Sequence, residues 1–301
     1  MTSFAPRLLL ALAVLCAAPA AAEPTLDKVK RTGSIVLGVR ETSYPLSYLD
    51  QTGQPIGYHV DICRRIAEAV KTQLGLSSLE VRTEVVTSKT RIPKMVDGAI
   101  DLECGSTTNN AARQTQVAFA PTTYVASVRI AVKKASRITK LAQLDGKAVV
   151  TTAGSTSVQL LKARVQGRDI NVIEVFGNDH AESFKMLESD QAAAFVMDDN
   201  LLAGLIASSS APKDYEILAQ TLNTEPIAIM LRKNDPAFKA LVDQTVKAMM
   251  TSGEVGRLYA KWFLSPIPPM NAALAFPMSP VLAGLLKYPG DEPAEAFRPE
   301  E

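Results

Sequence analysis

Short apolar runs alternate with segments of helical period along most of the chain. The runs at 34–39, 80–86 and 99–104 have the length of strands, and two of the segments between them, 61–72 and 88–97, follow the helical period. The same alternation resumes from residue 147. This pattern predicts an α/β fold of two mainly parallel sheets with flanking helices.

Two longer extended segments separate the two series of strands and helices. Residues 124–133 contain almost no turn signal, and residues 227–231 return from the second series. We expect these segments to form a two-stranded hinge between two α/β lobes. The predicted bounds are 23–127 plus 228–275 for a discontinuous lobe 1, 128–227 for lobe 2, and 276–301 for a partly flexible C-terminal extension, whose polar end at 291–301 we expect to be frayed.

The first 22 residues have the pattern of a secretory signal peptide. Arg7 supplies a positive charge, residues 8–15 are apolar but too short to span a bilayer, and Ala20-Ala21-Ala22 is a small-residue cleavage site. We expect cleavage after Ala22 and export to the periplasm. Large apolar residues precede Cys16 where a lipobox requires small ones, so lipidation is not expected.

Composition excludes some functions and leaves the cysteines open. The 301 residues carry 32 Lys and Arg against 31 Asp and Glu, so no basic surface for nucleic acid is indicated. After cleavage, Cys63 and Cys104 remain, without the spacing of a metal or redox motif. They either pair as a disulfide in an oxidising compartment or form two separately buried thiols.

Polar side chains cluster after the predicted strands. In open α/β sheets, ligands bind outside the carboxyl ends of the strands. The loops there contain Arg40, Arg91 and His180 with several hydroxyls, and Asp198 with Asp199 as an acidic pair. Arginines suit carboxylates and an acid suits an ammonium, so this set favours a zwitterionic anion. A P-loop, a strand-GxGxxG-helix fingerprint, an HExxH motif and a nucleophile elbow with an obvious triad are all absent from the sequence.

Several stretches resemble the periplasmic glutamate/aspartate-binding proteins of ABC transporters, in solute-binding protein family 3. The similar stretches are IVLGVRETSYPLSY (35–48), GYHVDICRRI (57–66), TSKTRIPKMVDGAIDLECGSTTNNAARQ (87–114), FVMDDNLLAG (195–204) and KWFLSPIPP (261–269). The resemblance implies a two-lobe, type II periplasmic binding protein fold that closes over one amino acid.

The resemblance also implies which residues hold the backbone of the ligand. Arg113 would grip the α-carboxylate, assisted by main-chain or hydroxyl donors of Thr108 and Thr156. Asp198 would receive the α-ammonium, with Ser106 nearby.

Four further residues would hold the distal carboxylate. They are Arg40, Ser88, Arg91 and His180. The resemblance implies no catalytic residue, cofactor or metal.

The expected function is capture of L-glutamate or L-aspartate, as a monomer, and delivery to the membrane permease of an ABC importer. The alternatives are an enzyme on the same fold, such as a cyclohexadienyl dehydratase, a binding protein for another polar amino acid, or a receptor-like sensory domain. The residues leave open which of the two acidic amino acids is preferred and whether asparagine or glutamine also binds.

Overall fold

The chain is described here from a computed structural model that covers residues 23–166 and 168–297. The predicted signal peptide and its cleavage site precede Glu23 and lie outside the described residues. Within the described ranges, no helix is both long enough and apolar enough to cross a bilayer.

Fourteen strands and ten α-helices are assigned within the described residues. The strands are β1 (Ser34–Val39), β2 (Thr42–Ser43), β3 (Ser47–Leu49), β4 (Pro55–Ile56), β5 (Glu80–Val85), β6 (Leu102–Glu103), β7 (Val117–Phe119), β8 (Tyr124–Lys133), β9 (Ala148–Thr152), β10 (Ile173–Gly177), β11 (Ala194–Asp198), β12 (Tyr215–Ile217), β13 (Asn223–Ile227) and β14 (Met230–Arg232). The helices are α1 (Thr25–Thr32), α2 (Tyr58–Gln73), α3 (Arg91–Val96), α4 (Ala111–Gln114), α5 (Thr156–Gln166), α6 (His180–Glu188), α7 (Asp199–Ser208), α8 (Pro236–Thr251), α9 (Glu254–Tyr259) and α10 (Pro280–Lys287).

Two large sheets define two lobes. Lobe 1 is built on the strand order β5-β1-β6-β14-β7, and lobe 2 on β10-β9-β11-β8-β12, with β13 also paired to β8. The predicted fold of two α/β lobes is confirmed. Each sheet is mixed, since its three parallel strands are followed by one that runs antiparallel to them, β14 in lobe 1 and β8 in lobe 2. A small third sheet, β2-β3-β4, is antiparallel throughout.

The chain crosses between the lobes twice. The antiparallel strands β8 and β13 lie side by side, with Tyr124 opposite Ile227 and Val128 opposite Asn223. The sequence prediction placed the returning strand at 227–231. The structure instead ends β13 at Ile227 and starts β14 at Met230, because the chain leaves one sheet and enters the other between these residues.

Apolar faces pack the longer helices α2, α5 and α8 into the cores of the lobes. In lobe 1, Ile62 and Ile66 of α2 and Phe238 and Val242 of α8 are fully buried in one cluster. In lobe 2, Val149 of β9 packs in a cluster with Leu161 of α5 and Ile130 of β8. Burial of a large apolar side chain contributes about 1.5–3 kcal/mol, so these faces hold the strand ends in place.

A disulfide joins Cys63 of α2 to Cys104, which directly follows β6. The two Cα atoms are 6.1 Å apart, and the residues are separated by 41 positions. Of the two alternatives left by the sequence, the structure therefore has the paired form. The bond fixes the start of the loop that contains Ser106 and Thr108 onto the interior face of α2.

The C-terminal extension lies against lobe 1. Asn109 donates from Nδ2 to the carbonyl of Asp291 at 2.8 Å, and its own carbonyl accepts from the amide of Ala294 at 2.8 Å. The amide of Thr122 donates to the carbonyl of Gly290 at 2.9 Å. These hydrogen bonds attach part of residues 290–297 to lobe 1, and the expected fraying of the polar end stays a prediction.

Candidate functional site

The nine predicted ligand-binding residues lie at or after the carboxyl ends of strands, where the two lobes meet in a region called the cleft below. In lobe 1 they follow β1, β5 and β6, and in lobe 2 they follow β9 and β10 or end β11. Eight of the nine are buried and Thr156 is half-buried. They are Arg40, Ser88, Arg91, Ser106, Thr108, Arg113, Thr156, His180 and Asp198.

Arg40 joins the two lobes at one end of the cleft. Its Nη2 donates to Ser88 Oγ at 3.0 Å and to His180 Nε2 at 3.3 Å, and its Nη1 donates to Ser106 Oγ at 3.3 Å. Burial, with the nearby Arg91 charge, lowers the pKa of Arg40 to about 9. Four of the nine predicted residues are thus in direct contact.

His180 faces Arg40 as a neutral acceptor. Because a guanidinium can only donate, Nε2 of His180 accepts and its proton resides on Nδ1. Nδ1 then donates to Thr152 Oγ1, 2.9 Å away. Burial lowers the pKa of His180 well below its usual range, and the charges of Arg40 and Arg91 act in the same direction. Thr152 was not among the residues predicted from sequence.

Arg91 is the cleft arginine whose N–H groups lack hydrogen-bond partners among the described residues. The residue is 2 % exposed, and its Nε and Nη1 have no hydrogen-bond partner within the described residues. Burial lowers the pKa of Arg91, against the opposing charges of Glu103, Asp198 and Glu225. Burying unpaired guanidinium N–H groups is costly, so an anionic ligand that pairs with them gains that free energy on binding.

Arg113 reaches from lobe 1 towards the first loop of lobe 2. Its Nη1 donates to the carbonyl of Thr108 at 2.9 Å, and its Nη2 lies 3.5 Å from the carbonyl of Gly154. Burial and the Arg91 charge lower its pKa to about 9. Gly154 has a φ of +80°, and a Cβ there would lie 2.8 Å from the Lys89 backbone, so only glycine lets the two loops approach this closely.

Asp198 supplies negative charge from lobe 2. It ends β11 and is 4 % exposed. Burial raises its pKa well above the usual range, and the carboxylates of Glu225 and Asp199 add to the effect. A cation placed beside Asp198 would reverse this effect and favour its ionised form. The neighbouring Asp199 is committed elsewhere, since its Oδ1 accepts from the Ser127 amide at 3.2 Å.

Two buried acids in the cleft escaped the sequence prediction. One oxygen of Glu225 accepts from Thr108 Oγ1 at 2.6 Å and from Thr156 Oγ1 at 2.8 Å. Glu103 is fully buried, with Oε2 accepting from Thr107 Oγ1 at 2.6 Å and Oε1 without a partner among the described residues. In the sequence, each of them is only a single acidic residue within an extended segment, Glu103 in β6 and Glu225 in β13.

Comparisons with known proteins identify the family of the chain. The model of bacterial extracellular solute-binding proteins, family 3, matches residues 35–265. The chain is 45 % identical over 287 residues to the L-glutamate/L-aspartate-binding protein of Pseudomonas aeruginosa, covering 94 % of this chain and 95 % of that protein. It is 44 % identical over 276 residues to the glutamate/aspartate import solute-binding protein of Escherichia coli, covering 92 % and 91 %.

The fold is shared with solved structures of amino-acid-binding proteins. An ancestral arginine-binding protein bound to glutamine superposes with a TM-score of 0.69 at 27 % identity, over 77 % of this chain and 98 % of that one. This confirms the type II periplasmic binding protein fold. The two curated relatives are binding and import proteins rather than enzymes. The chain belongs to family 3 of the bacterial extracellular solute-binding proteins.

Proposed function

We propose that this chain binds L-glutamate and L-aspartate between its two lobes and delivers them to the permease of an ABC importer. The observation that carries this proposal is the charge of the cleft, where three buried arginines from lobe 1 stand with Asp198 of lobe 2. An acidic amino acid has two carboxylates and one ammonium, so each charge of the ligand finds a partner. The relatives named for glutamate and aspartate support the same ligands.

The nine residues divide into two groups in this proposal. Arg113 holds the α-carboxylate, with Thr108 and Thr156 beside it, while Asp198 and Ser106 receive the ammonium. The second group, around the distal carboxylate, consists of Arg40, Ser88, Arg91 and His180. The unpartnered N–H groups of Arg91 support its place there.

Ligand capture would close the lobes about the paired strands β8 and β13, since a ligand that contacts both lobes favours the closed state by its differential affinity. The proposed lobe bounds are 23–127 plus 228–275 and 128–227. We propose that the protein acts as a monomer, without nucleic acid. Its family of extracellular proteins supports a periplasmic location, reached after cleavage following Ala22.

Calorimetric titration of two arginine variants tests the division of roles. Arg91→Ala is expected to cost about 2–5 kcal/mol of glutamate binding, the scale for removing one partner of a buried charge pair. It should affect glutamine much less, because glutamine has no distal charge. Arg113→Ala should weaken both ligands alike. Equal losses for both ligands in Arg91→Ala would contradict the role of Arg91, and a parent protein that binds neither acidic amino acid would overturn the function.

A further inference from the structure

Glu225 lies where it can contact both lobes with a single oxygen. It sits in β13, opposite Ala126 of β8, and is 2 % exposed. Its Oε2 accepts from the hydroxyl of Thr108 in lobe 1 at 2.6 Å and from the hydroxyl of Thr156 in lobe 2 at 2.8 Å. One carboxylate, on a strand that connects the lobes, therefore binds two candidate ligand-binding residues from opposite lobes.

The protons of these hydroxyls determine what they offer a ligand. A threonine hydroxyl has one proton and two lone pairs, and an ionised carboxylate can only accept. Both protons are therefore directed at Glu225, so Thr108 and Thr156 have only acceptor lone pairs left. An acceptor stabilises an ammonium and disfavours a carboxylate.

The surrounding charges fit the same division. The Glu225 carboxylate raises the pKa of Asp198 and opposes the lowering of the pKa of Arg113 caused by burial, so its charge is felt by both groups. A dicarboxylate without an amino group would bring the same carboxylates but no cation to this region. The negative charges of Asp198 and Glu225 would then be offset by the cleft arginines alone, without the cation that an amino acid brings.

We propose that Glu225 is a positioning and specificity-determining residue, which turns the Thr108 and Thr156 hydroxyls into ammonium acceptors and so selects amino dicarboxylates over dicarboxylates that lack the amine. This inference rests on the proposed function. The resemblance implied main-chain or hydroxyl donors from these threonines towards the α-carboxylate. With Glu225 ionised, only their main-chain amides remain as donors.

Titration of Glu225→Gln with L-glutamate and with glutarate, which is glutamate without its amino group, tests the inference. The variant keeps the shape and one acceptor oxygen but loses the charge. Glutamate affinity should fall about tenfold or more, the scale of one charge-assisted hydrogen bond, while glutarate affinity stays the same or rises. Glu216→Gln in the neighbouring strand β12 removes the same charge at a partly exposed position and should change neither affinity.

The deciding quantity is the ratio of the glutarate and glutamate dissociation constants, read by competition against labelled glutamate. A ratio at least about fivefold smaller in Glu225→Gln than in the parent supports the inference, and any smaller change overturns it. Equal losses of both ligands would indicate a purely structural role. Equal gains would indicate only a change of net charge.

Thr156→Val provides a second route if Glu225→Gln does not fold. It replaces the hydroxyl by a methyl group of similar size on a half-buried residue and leaves Glu225 in place. Glutamate affinity should fall and glutarate affinity should not, and equal losses would overturn the inference. Absence of glutamate binding by the parent would instead overturn the proposed function.

Discussion

Arg40 of lobe 1 donates a hydrogen bond to Nε2 of His180 in lobe 2, over 3.3 Å. The contact is the first step of a chain of donors, because Nδ1 of His180 then donates to Thr152 Oγ1 and Thr152 in turn to Ser183 Oγ, each over 2.9 Å. The chain ends at the carbonyl of Asp179, which accepts from Ser183 Oγ at 2.7 Å. One tautomer of His180 satisfies every group, so the cleft holds the imidazole neutral and oriented.

Thr152→Val should disturb this chain without changing the volume of the side chain. The Nδ1 proton of His180 would lose its buried acceptor, which costs about 1–3 kcal/mol. The tautomer that faces Arg40 with an acceptor would no longer be favoured. We expect lower stability in urea unfolding and weaker glutamate binding in calorimetry.

Thr151→Val is the matched control for that variant. Thr151 is equally buried and adjacent in β9, but alternation along a strand directs its side chain to the opposite face. It should leave glutamate affinity unchanged. If both valine variants reduce the affinity equally, the tautomer of His180 does not depend on Thr152.

His59 should make the protein less stable in acid. It is fully buried, its Nδ1 lies 2.5 Å from the Gly105 carbonyl and its Nε2 2.8 Å from Thr123 Oγ1, and burial lowers its pKa to about 4. Between about pH 4 and the unfolded value near 6.5, the unfolded chain binds more protons, so stability is complete above this window and falls as the pH decreases through it. The loss from His59 should reach about 3 kcal/mol at about pH 4.

Urea unfolding of the parent and of His59→Gln over this pH range isolates the effect, since the buried His180 titrates in both proteins. The pH dependence of the unfolding free energy should be shallower in His59→Gln. If the unfolding free energies of the two proteins changed with pH in parallel, His59 would not contribute to the loss of stability in acid. A parent curve that rises towards acid would contradict the direction of the pKa shift itself.

The lobes were readable from sequence because their signals are local. The strand at 34–39 is bounded by a glycine stop and a polar loop, and the structure forms β1 over the same residues. The order of the strands cannot be predicted in this way. The sequence of β13 and β14 favours one extended segment, and the two strands differ only because they pair with strands of different sheets. Glu103 and Glu225 escaped for a related reason. A single acid in a strand gives no sign of which hydroxyls tertiary packing brings to it.

The Cys63–Cys104 disulfide should contribute substantially to stability. Closing a loop across 41 positions restricts the unfolded chain, and the chain-entropy relation gives about 4 kcal/mol. We expect Cys63→Ala combined with Cys104→Ala to lower the unfolding free energy by about this amount. Urea unfolding of the double variant checks the value, and the reduced parent serves as its comparison. A loss below about 1 kcal/mol would mean that the unfolded chain is already restricted there.

The C-terminal segment should hold the loop that leads to Arg113. Glu295 Oε2 accepts from the Ala111 amide at 3.0 Å, and this amide opens the short helix α4 that contains Arg113. Glu295→Ala should therefore speed hydrogen exchange at Ala111 and lower stability by about 0.5–1.5 kcal/mol, the net value of one hydrogen bond. Glu292→Ala is the control, because Glu292 offers its backbone carbonyl rather than its side chain to Asn109.

Since Arg113 lies two residues after Ala111, glutamate affinity should fall in Glu295→Ala and stay constant in Glu292→Ala. Unchanged hydrogen exchange at Ala111 in Glu295→Ala would show that the Glu295 hydrogen bond does not stabilise this loop.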